Sequence, residues 1–138
     1  MRFTVNRRVP SACEYNALRR SVDWPTFADN VVELGLAQSS YCIVVEDESG
    51  TVVGMGRIIG DNAIYMHIQD VIVRPDLQRQ GIGKLIMKEL LTYVDGLAGK
   101  NTNIGLMCSK GREAFYRTFG FVDRPSEKFG SGMIKVIA

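Results

Sequence analysis

A short apolar run followed at once by a glycine-rich turn constrains this chain more than any other segment. The run Val71-Ile72-Val73 stops at Pro75, and the polar turn after it carries Gln78-x-x-Gly81-x-Gly83. A helical pattern starts directly behind the second glycine. Strand, glycine turn and helix in this order direct a row of backbone N–H groups and the positive end of a helix dipole at one point. The segment therefore favours a bound phosphate.

Two well-known phosphate loops fit this turn less well. The dinucleotide-binding fingerprint requires a third glycine and normally follows the first strand of its unit. A Walker A loop is excluded, because no Gly-Lys-Ser/Thr follows at its spacing. Two glycines alone are also compatible with a plain strand-to-helix turn. Other parts of the chain are therefore needed to distinguish a phosphate-binding loop from such a turn.

Length and composition indicate one soluble globular domain over residues 1–138, with 46% hydrophobic and 23% charged residues and a net charge of +2. No apolar run approaches the ~20 residues of a membrane span, and the first residues lack the apolar core of a signal peptide. We therefore expect a cytoplasmic protein without a membrane partner. The scattered basic residues argue against a nucleic-acid partner. Three cysteines without a C-x-x-C pair argue against a metal site or a disulfide frame.

The hydrophobic patterns predict the order β-α-α-β-β-β-α-β-α-β-β. Ser11 and Glu14 predict a capping box for a helix that reaches about Ser21. Thr26 is expected to cap a second helix with Phe27, Val31, Val32 and Leu34 facing inward. The remaining predicted elements are strands over 3–6, 41–46, 51–59, 63–73, 103–108, 121–122 and 133–137, and helices over 83–97 and 112–118.

A second motif follows the glycine turn by some thirty residues. Together with the apolar run and Pro75, the pair Gln78-x-x-Gly81-x-Gly83 and Tyr116-x-x-x-Gly120-Phe121 resembles the GNAT superfamily of N-acetyltransferases. The resemblance extends from about residue 41 to residue 121, and the predicted element order also agrees with that fold. It implies an α/β fold with a mixed central sheet of about six to seven strands, helices on both faces and a V-shaped split between the fourth and fifth strands.

The resemblance implies acetyl-CoA as cosubstrate, entering that split. The backbone of the strand would pair with the pantetheine arm, and the N–H groups of the turn would hold the pyrophosphate. The implied cofactor-binding residues are Val71, Ile72, Val73, Arg79, Gln80, Gly81, Ile82, Gly83, Lys84 and Tyr116.

The resemblance also assigns catalytic roles. Tyr116 corresponds to the tyrosine that protonates the departing thiolate. His67, the only histidine, is the candidate base for the amine, because an unperturbed imidazole has a pKa of about 6.5, which suits a base at neutral pH. Glu46 is a reserve candidate that would act through water. The oxyanion would be held by a backbone N–H, that of Val71.

Period-2 alternation places positions 67, 69, 71 and 73 on one face of their strand and Asp70 on the other, unless a β-bulge intervenes. Asp70 is therefore interpreted as structural. Ser109 stands where the family frequently has an asparagine, and no role is assigned to it.

The acceptor is the part that the sequence leaves open. Tyr15, Trp24 and Phe27 are expected to influence selectivity, without naming an amine: a small amine and a protein amine both remain. Two alternatives also remain, a non-catalytic CoA-binding regulatory module and an acyltransferase that uses a longer acyl-CoA. A homodimer is compatible with the sequence, which gives no number of subunits.

Overall fold

The computed structural model describes residues 2–138, and the strands in this part of the chain form one sheet in chain order. They are β1 (Thr4–Arg7), β2 (Tyr41–Glu46), β3 (Val52–Gly60), β4 (Tyr65–Val73) and β5 (Asn103–Leu106). The first four pair antiparallel. β5 begins beside the start of β4, where the Asn103 N–H donates to the Ile64 carbonyl over 2.8 Å. The two strands run in the same direction from that point, so the sheet is mixed.

Helices connect these strands in the predicted order. Within residues 2–138 they are α1 (Ala12–Ser21), α2 (Asp29–Ala37), α3 (Ile82–Asp95) and α4 (Glu113–Arg117), with a 3-10 turn at Pro75–Leu77 before α3. The mixed α/β class is thus confirmed. None of these helices is both long enough and apolar enough to cross a membrane.

The start of α1 is the predicted capping box. Ser11 Oγ accepts a hydrogen bond from the Glu14 N–H over 3.1 Å, and Glu14 Oε1 accepts from the Ser11 N–H over 2.8 Å. Arg8 donates to both Glu14 carboxylate oxygens, over 2.9 and 3.1 Å. The first turn of α1 is therefore satisfied at its backbone and joined to the residue that follows β1.

The sheet carries helices on both faces. α1 and α2 cover one face through a buried apolar cluster that contains Tyr15, Leu18, Val32, Met55 and Ile72 among its members. α3 covers the other face, where glycines allow a close approach of helix and sheet. A Cβ built on Gly56 would lie 2.6 Å from Ile86 Cγ2 and 2.9 Å from Leu90 Cδ1 of α3. Gly56 therefore sets the distance between α3 and β3.

A β-bulge interrupts β4 and corrects the predicted alternation. Met55 pairs with Ile72 and Arg57 pairs with Gln69, so that Asp70 and Val71 together lie opposite Gly56. Asp70 adopts φ +55°, in the left-handed region that an aspartate tolerates better than most residues.

The bulge redistributes the side chains of β4 between the two faces. Arg57 reaches Asp70, and its register partner Gln69 shares its face, as does His67 two residues earlier. Val73 pairs with Gly54, whose Cβ position lies 3.3 Å from Ile86 of α3. The prediction that 67, 69, 71 and 73 share one face was therefore wrong at Val73, and Asp70 lies on the face of His67.

The second helix begins later than predicted. Its N-cap is Ala28 rather than Thr26, and its buried residues are Val32 and Leu36. Phe27, Val31 and Leu34 were expected to face inward, but all three are exposed. The prediction included Val32 correctly but left out Leu36 and took three exposed residues as buried, although single exposed apolar residues are ordinary at protein surfaces.

The two predicted closing strands, Phe121–Val122 and Met133–Ile137, are absent from the described residues, so the sheet has five strands rather than six or seven. Met133 is 87% exposed and Ile137 83% exposed. A strand is stabilised by a neighbour that pairs with its backbone, and local β-propensity does not replace one. The contacts divide the chain into one compact unit ending at Gly105 and a second from Leu106 to Ala138.

Candidate active site

The turn between β4 and α3 has the geometry of an anion cradle. Arg79 and Gly81 have φ values of +67° and +85°, and Gly81 is the N-cap of α3 with no side chain capping the helix. A Cβ on Gly81 would meet no atom within 4 Å, so the space beside the turn is open. The first-turn N–H groups of a helix have no acceptor within the helix. The N-terminus of this 14-residue helix is therefore available to an anionic group.

The turn is fastened to the end of β4 by Gln78. Its Nε2 donates to the Val73 carbonyl over 3.1 Å. Arg79 and Lys84 are exposed cations in or next to the turn, and Gln80 is exposed as well. Ile82 instead faces the core, so only its backbone is available to a ligand. The structure thus brings the predicted residues of the turn and the end of β4 together.

His67 lies six residues before Val73 on β4 and is half-buried. Its Nε2 is 3.1 Å from Gln69 Oε1, two residues along the same face of the strand. A Cβ on Gly105 of β5 would lie 3.6 Å from His67 Nδ1. The imidazole therefore occupies the place where β4 and β5 start side by side.

Glu46 is engaged elsewhere in the sheet. It lies at the end of β2, which is separated from β4 by β3. Its Oε1 accepts a hydrogen bond from Asn6 Nδ2 over 2.7 Å and lies 3.6 Å from Arg8 Nε. The register pairs Glu46 with Val52 and His67 with Ile59, at opposite ends of β3. Glu46 and His67 therefore do not share a site.

The bulge holds a buried charge cluster that the sequence reasoning missed. Asp70 Oδ2 accepts hydrogen bonds from the Tyr15 hydroxyl and from Arg57 Nε, each over 2.8 Å. Arg19 Nη1 lies 3.6 Å from Asp70 Oδ1. The Asp70 side chain is 1% exposed, and burial followed by the charge of Asp70 raises the pKa of Tyr15. The cluster fixes the bulge against α1.

Arg19 also organises the segment between α1 and α2. Its guanidinium carbon lies 5.6 Å from the ring centre of Tyr15, 5.4 Å from that of Trp24 and 4.9 Å from that of Phe27. Its Nε donates to the Pro25 carbonyl. The three aromatic residues expected to influence selectivity are thus grouped around an arginine of the chain itself.

Tyr116 belongs to the second compact unit. α4 ends at Arg117, and Gly120 has φ +90° in the turn that follows, where the Phe121 N–H donates back to the Tyr116 carbonyl. The rings of Tyr116 and Phe121 meet edge to face with centres 6.3 Å apart. Gly120 is thus required by the backbone, and Phe121 orients the Tyr116 ring.

The Tyr116 hydroxyl makes no hydrogen bond to any residue in the described part of the chain. Burial raises the pKa of Tyr116 above its ordinary value of 10.0, with a further contribution from Cys108. The hydroxyl therefore keeps its proton well above neutral pH and has that proton to donate.

Comparison with known protein families identifies the family of this chain. The sequence profile described as Acetyltransferase (GNAT) domain matches residues 21–136. The chain therefore belongs to the GNAT acetyltransferase family, as the two motifs predicted.

Curated relatives agree with this assignment. Uncharacterised N-acetyltransferases of Porphyra purpurea and Pyropia yezoensis are 31% and 29% identical over 115 residues. These matches cover 81% of this chain but only 65% of each relative's length. A glucosamine 6-phosphate N-acetyltransferase of Schizosaccharomyces pombe is 37% identical over 87 residues, which is 58% of this chain and 77% of that protein.

Solved structures support the same fold. A probable acetyltransferase of Staphylococcus aureus superposes with a TM-score of 0.89 at 26% identity, over 98% of this chain and 100% of that one. A GNAT family acetyltransferase of Streptococcus pneumoniae gives a TM-score of 0.81 at 27% identity, over 99% and 98% of the two chains.

Proposed function

We propose that this chain transfers an acetyl group from acetyl-CoA to a primary amine. The observation that carries the proposal is the open, uncapped N-terminus of α3 behind Arg79 and Gly81. A phosphorylated ligand fits such a cradle, and the family to which the chain belongs is one of acetyltransferases. A cytoplasmic location remains part of the proposal.

Acetyl-CoA would be held by backbone groups and two cations. The N–H groups from Arg79 to Lys84 would bind the pyrophosphate, and the side chains of Arg79 and Lys84 would add charge. The backbone of Val71, Ile72 and Val73 would pair with the pantetheine arm as an added strand, in a split between β4 and β5. When bound, acetyl-CoA supplies the thioester that the amine attacks.

The chain's own residues would then handle the protons. His67 would accept the proton of the acceptor ammonium, because only the neutral amine has a lone pair with which to attack the thioester carbon. As the carbon–sulfur bond breaks, Tyr116 would give its proton to the sulfur, which leaves as the free CoA thiol. The attacking nitrogen would lose its second proton to solvent, which leaves the N-acetylated amine, and solvent would return a proton to Tyr116. The free hydroxyl and raised pKa of Tyr116 support that role.

The bulge in β4 supports a further part of the mechanism. Asp70 and Val71 lie opposite the single residue Gly56, and a bulge leaves its extra residue out of the hydrogen-bond ladder. The Val71 N–H would hold the oxyanion of the tetrahedral intermediate. The buried Asp70 cluster would keep that N–H in a fixed direction.

An acceptor screen tests the proposal. Purified protein is mixed with acetyl-CoA and a panel of amines that includes arylalkylamines, polyamines, amino acids, a lysine peptide and an amino sugar phosphate. The last is included because one relative is named for glucosamine 6-phosphate. Amine-dependent release of free thiol supports the proposal. Tight CoA binding without thiol release from any amine would instead identify a non-catalytic module, and release only from a longer acyl-CoA would reassign the donor.

A further inference from the structure

The hydrogen bond between His67 and Gln69 indicates which nitrogen of the imidazole carries the proton. We propose that Gln69 is a positioning residue: it holds the proton of neutral His67 on Nε2, so that Nδ1 is the atom that accepts the proton of the amine. Gly105, on the neighbouring strand, keeps the space beside Nδ1 free. This inference rests on the proposed function for its chemistry, although its structural part is independent of it.

The contact with Gln69 determines the tautomer of neutral His67. Gln69 Oε1 lies 3.1 Å from His67 Nε2, and a carbonyl oxygen only accepts hydrogen bonds. With the Gln69 amide in this orientation, Nε2 is the donor. A neutral imidazole carries one N–H, so the lone pair is left on Nδ1. No other residue between 2 and 138 forms a hydrogen bond with this ring.

Gly105 of β5 lies beside the Nδ1 atom of His67. A Cβ at position 105 would sit 3.6 Å from this atom, at ordinary van der Waals distance. Any side chain at that position would therefore place its Cβ in contact with Nδ1. With glycine there, Nδ1 faces an exposed position of β5. An amine can approach the lone pair of Nδ1 over Gly105, whereas Nε2 is held by Gln69.

Other polar groups share this face of the sheet with His67. Arg57, the register partner of Gln69 on β3, directs its Nε at Asp70 and its Nη1 at Ser39 Oγ over 3.2 Å. Asp70 is held by Tyr15 and Arg57. Tyr65, two residues before His67, is exposed. None of these groups hydrogen-bonds to the imidazole, so Gln69 is the residue on this face that selects its tautomer.

Nitrogen-15 NMR of the single histidine tests the tautomer without any substrate. At a pH where the imidazole is neutral, the wild-type protein is expected to show a protonated Nε2 and an unprotonated Nδ1. Gln69→Glu keeps an acceptor oxygen and should preserve this pattern. Gln69→Leu removes the acceptor and should raise the population with the proton on Nδ1 several-fold. A wild-type spectrum with the proton on Nδ1, or a Gln69→Leu spectrum unchanged from wild type, would overturn the proposal.

Kinetics of the full chain test the role of Nδ1. Gly105→Ala brings a methyl group to van der Waals distance of that atom, so kcat should fall at least about tenfold while KM for acetyl-CoA stays the same. Gly99→Ala, in the turn before β5, adds a methyl group where no atom lies within 4 Å and serves as the matched control. Equal kcat for both variants contradicts the assignment of Nδ1. If the protein acetylates no amine at all, the proposed function fails while the NMR result still decides the tautomer.

Discussion

The Tyr15 hydroxyl donates a 2.8 Å hydrogen bond to Asp70 Oδ2 across 55 residues of sequence. This bond joins the first helix to the bulge of β4, and Arg57 donates to the same carboxylate oxygen from β3. The bulge decides which residues of β4 share a face with His67. The placement of the proposed base therefore depends on a buried carboxylate that does not take part in the proposed chemistry.

Removing this carboxylate is expected to destabilise the fold strongly. Asp70→Ala leaves Arg57 and Arg19 without their buried counter-ion, and breaking a buried ion pair from one side costs about 3–5 kcal/mol. Tyr15→Phe removes the hydrogen bond to Asp70 and the longer one, 3.3 Å, from Arg19 Nη1, and a hydrogen bond to a charged group is worth about 1.5–3 kcal/mol. Urea unfolding of each variant measures the free energy of unfolding.

The exposed pair Arg74–Asp76 supplies the control for that experiment. Its atoms approach to 2.7 Å, as closely as those of the buried cluster, but the Asp76 side chain is 59% exposed. Asp76→Ala should change the free energy of unfolding by less than about 1 kcal/mol. Similar losses for Asp70→Ala and Asp76→Ala would mean that the buried cluster does not hold the bulge.

The stability of the α1 cap should depend on pH through Glu14. The hydrogen bond from Arg8, first among several causes, lowers the pKa of Glu14 from 4.5 to about 2. A carboxylate whose pKa is depressed in the folded state stabilises it above the unfolded pKa, and this contribution is lost as pH falls through the folded pKa. The wild-type advantage should therefore be full above pH 4.5 and vanish near pH 2.

Glu14→Gln isolates that contribution, because glutamine at the same position still completes the capping box but carries no charge. The difference in free energy of unfolding between wild type and Glu14→Gln should shrink steadily between pH 4.5 and pH 2 in denaturant titrations. A difference that stays constant across this window would exclude Glu14 as the titrating group.

The glycine turn should lose its ligand when Gly81 acquires a side chain. Gly81→Val forces a β-branched residue into φ +85° at the start of α3 and places methyl groups in the proposed pyrophosphate site. We expect binding of acetyl-CoA, followed by calorimetry, to fall below detection. Gly50→Val is the matched control, because Gly50 has φ +83° in the turn between β2 and β3, with no atom within 4 Å of its Cβ position. Equal binding of acetyl-CoA by both variants would show that the pyrophosphate does not bind at this turn.

Replacing Tyr116 should lower the turnover number and leave the affinity for acetyl-CoA nearly unchanged. Tyr116→Phe removes the hydroxyl, which forms no hydrogen bond within residues 2–138, and keeps the ring that contacts Phe121. Loss of a general acid lowers kcat by about a hundredfold or more. The dissociation constant for acetyl-CoA should change little, and steady-state kinetics combined with calorimetry measures both. A variant with wild-type kcat would remove Tyr116 as the acid.

Local signals in the sequence account for much of the fold. The capping box of Ser11 and Glu14, the strand 41–46 and the helix behind Gly81 each depend on neighbours within a few residues, and the structure has them where predicted. The two motifs also placed the chain in its family correctly.

Features that depend on residues distant in the sequence could not be predicted from local patterns. The bulge at Asp70 depends on Tyr15 and Arg57, which lie far away in sequence, and no periodicity within β4 reveals them. The register of α2 depends on what its apolar residues contact rather than on their spacing. The pairing of His67 with Gln69 was the exception, since residues two apart on a strand share a face. It could have been found from the sequence.

The most direct test of acetyl transfer measures both products in one reaction. With an amine that the screen identifies, the account predicts that free CoA thiol and acetylated amine appear in equal amounts. It also predicts that thiol release stops when the amine is omitted and that Gly81→Val abolishes both products. Thiol release that continues without any amine, or proceeds without formation of acetylated amine, would contradict the assignment of this chain as an N-acetyltransferase.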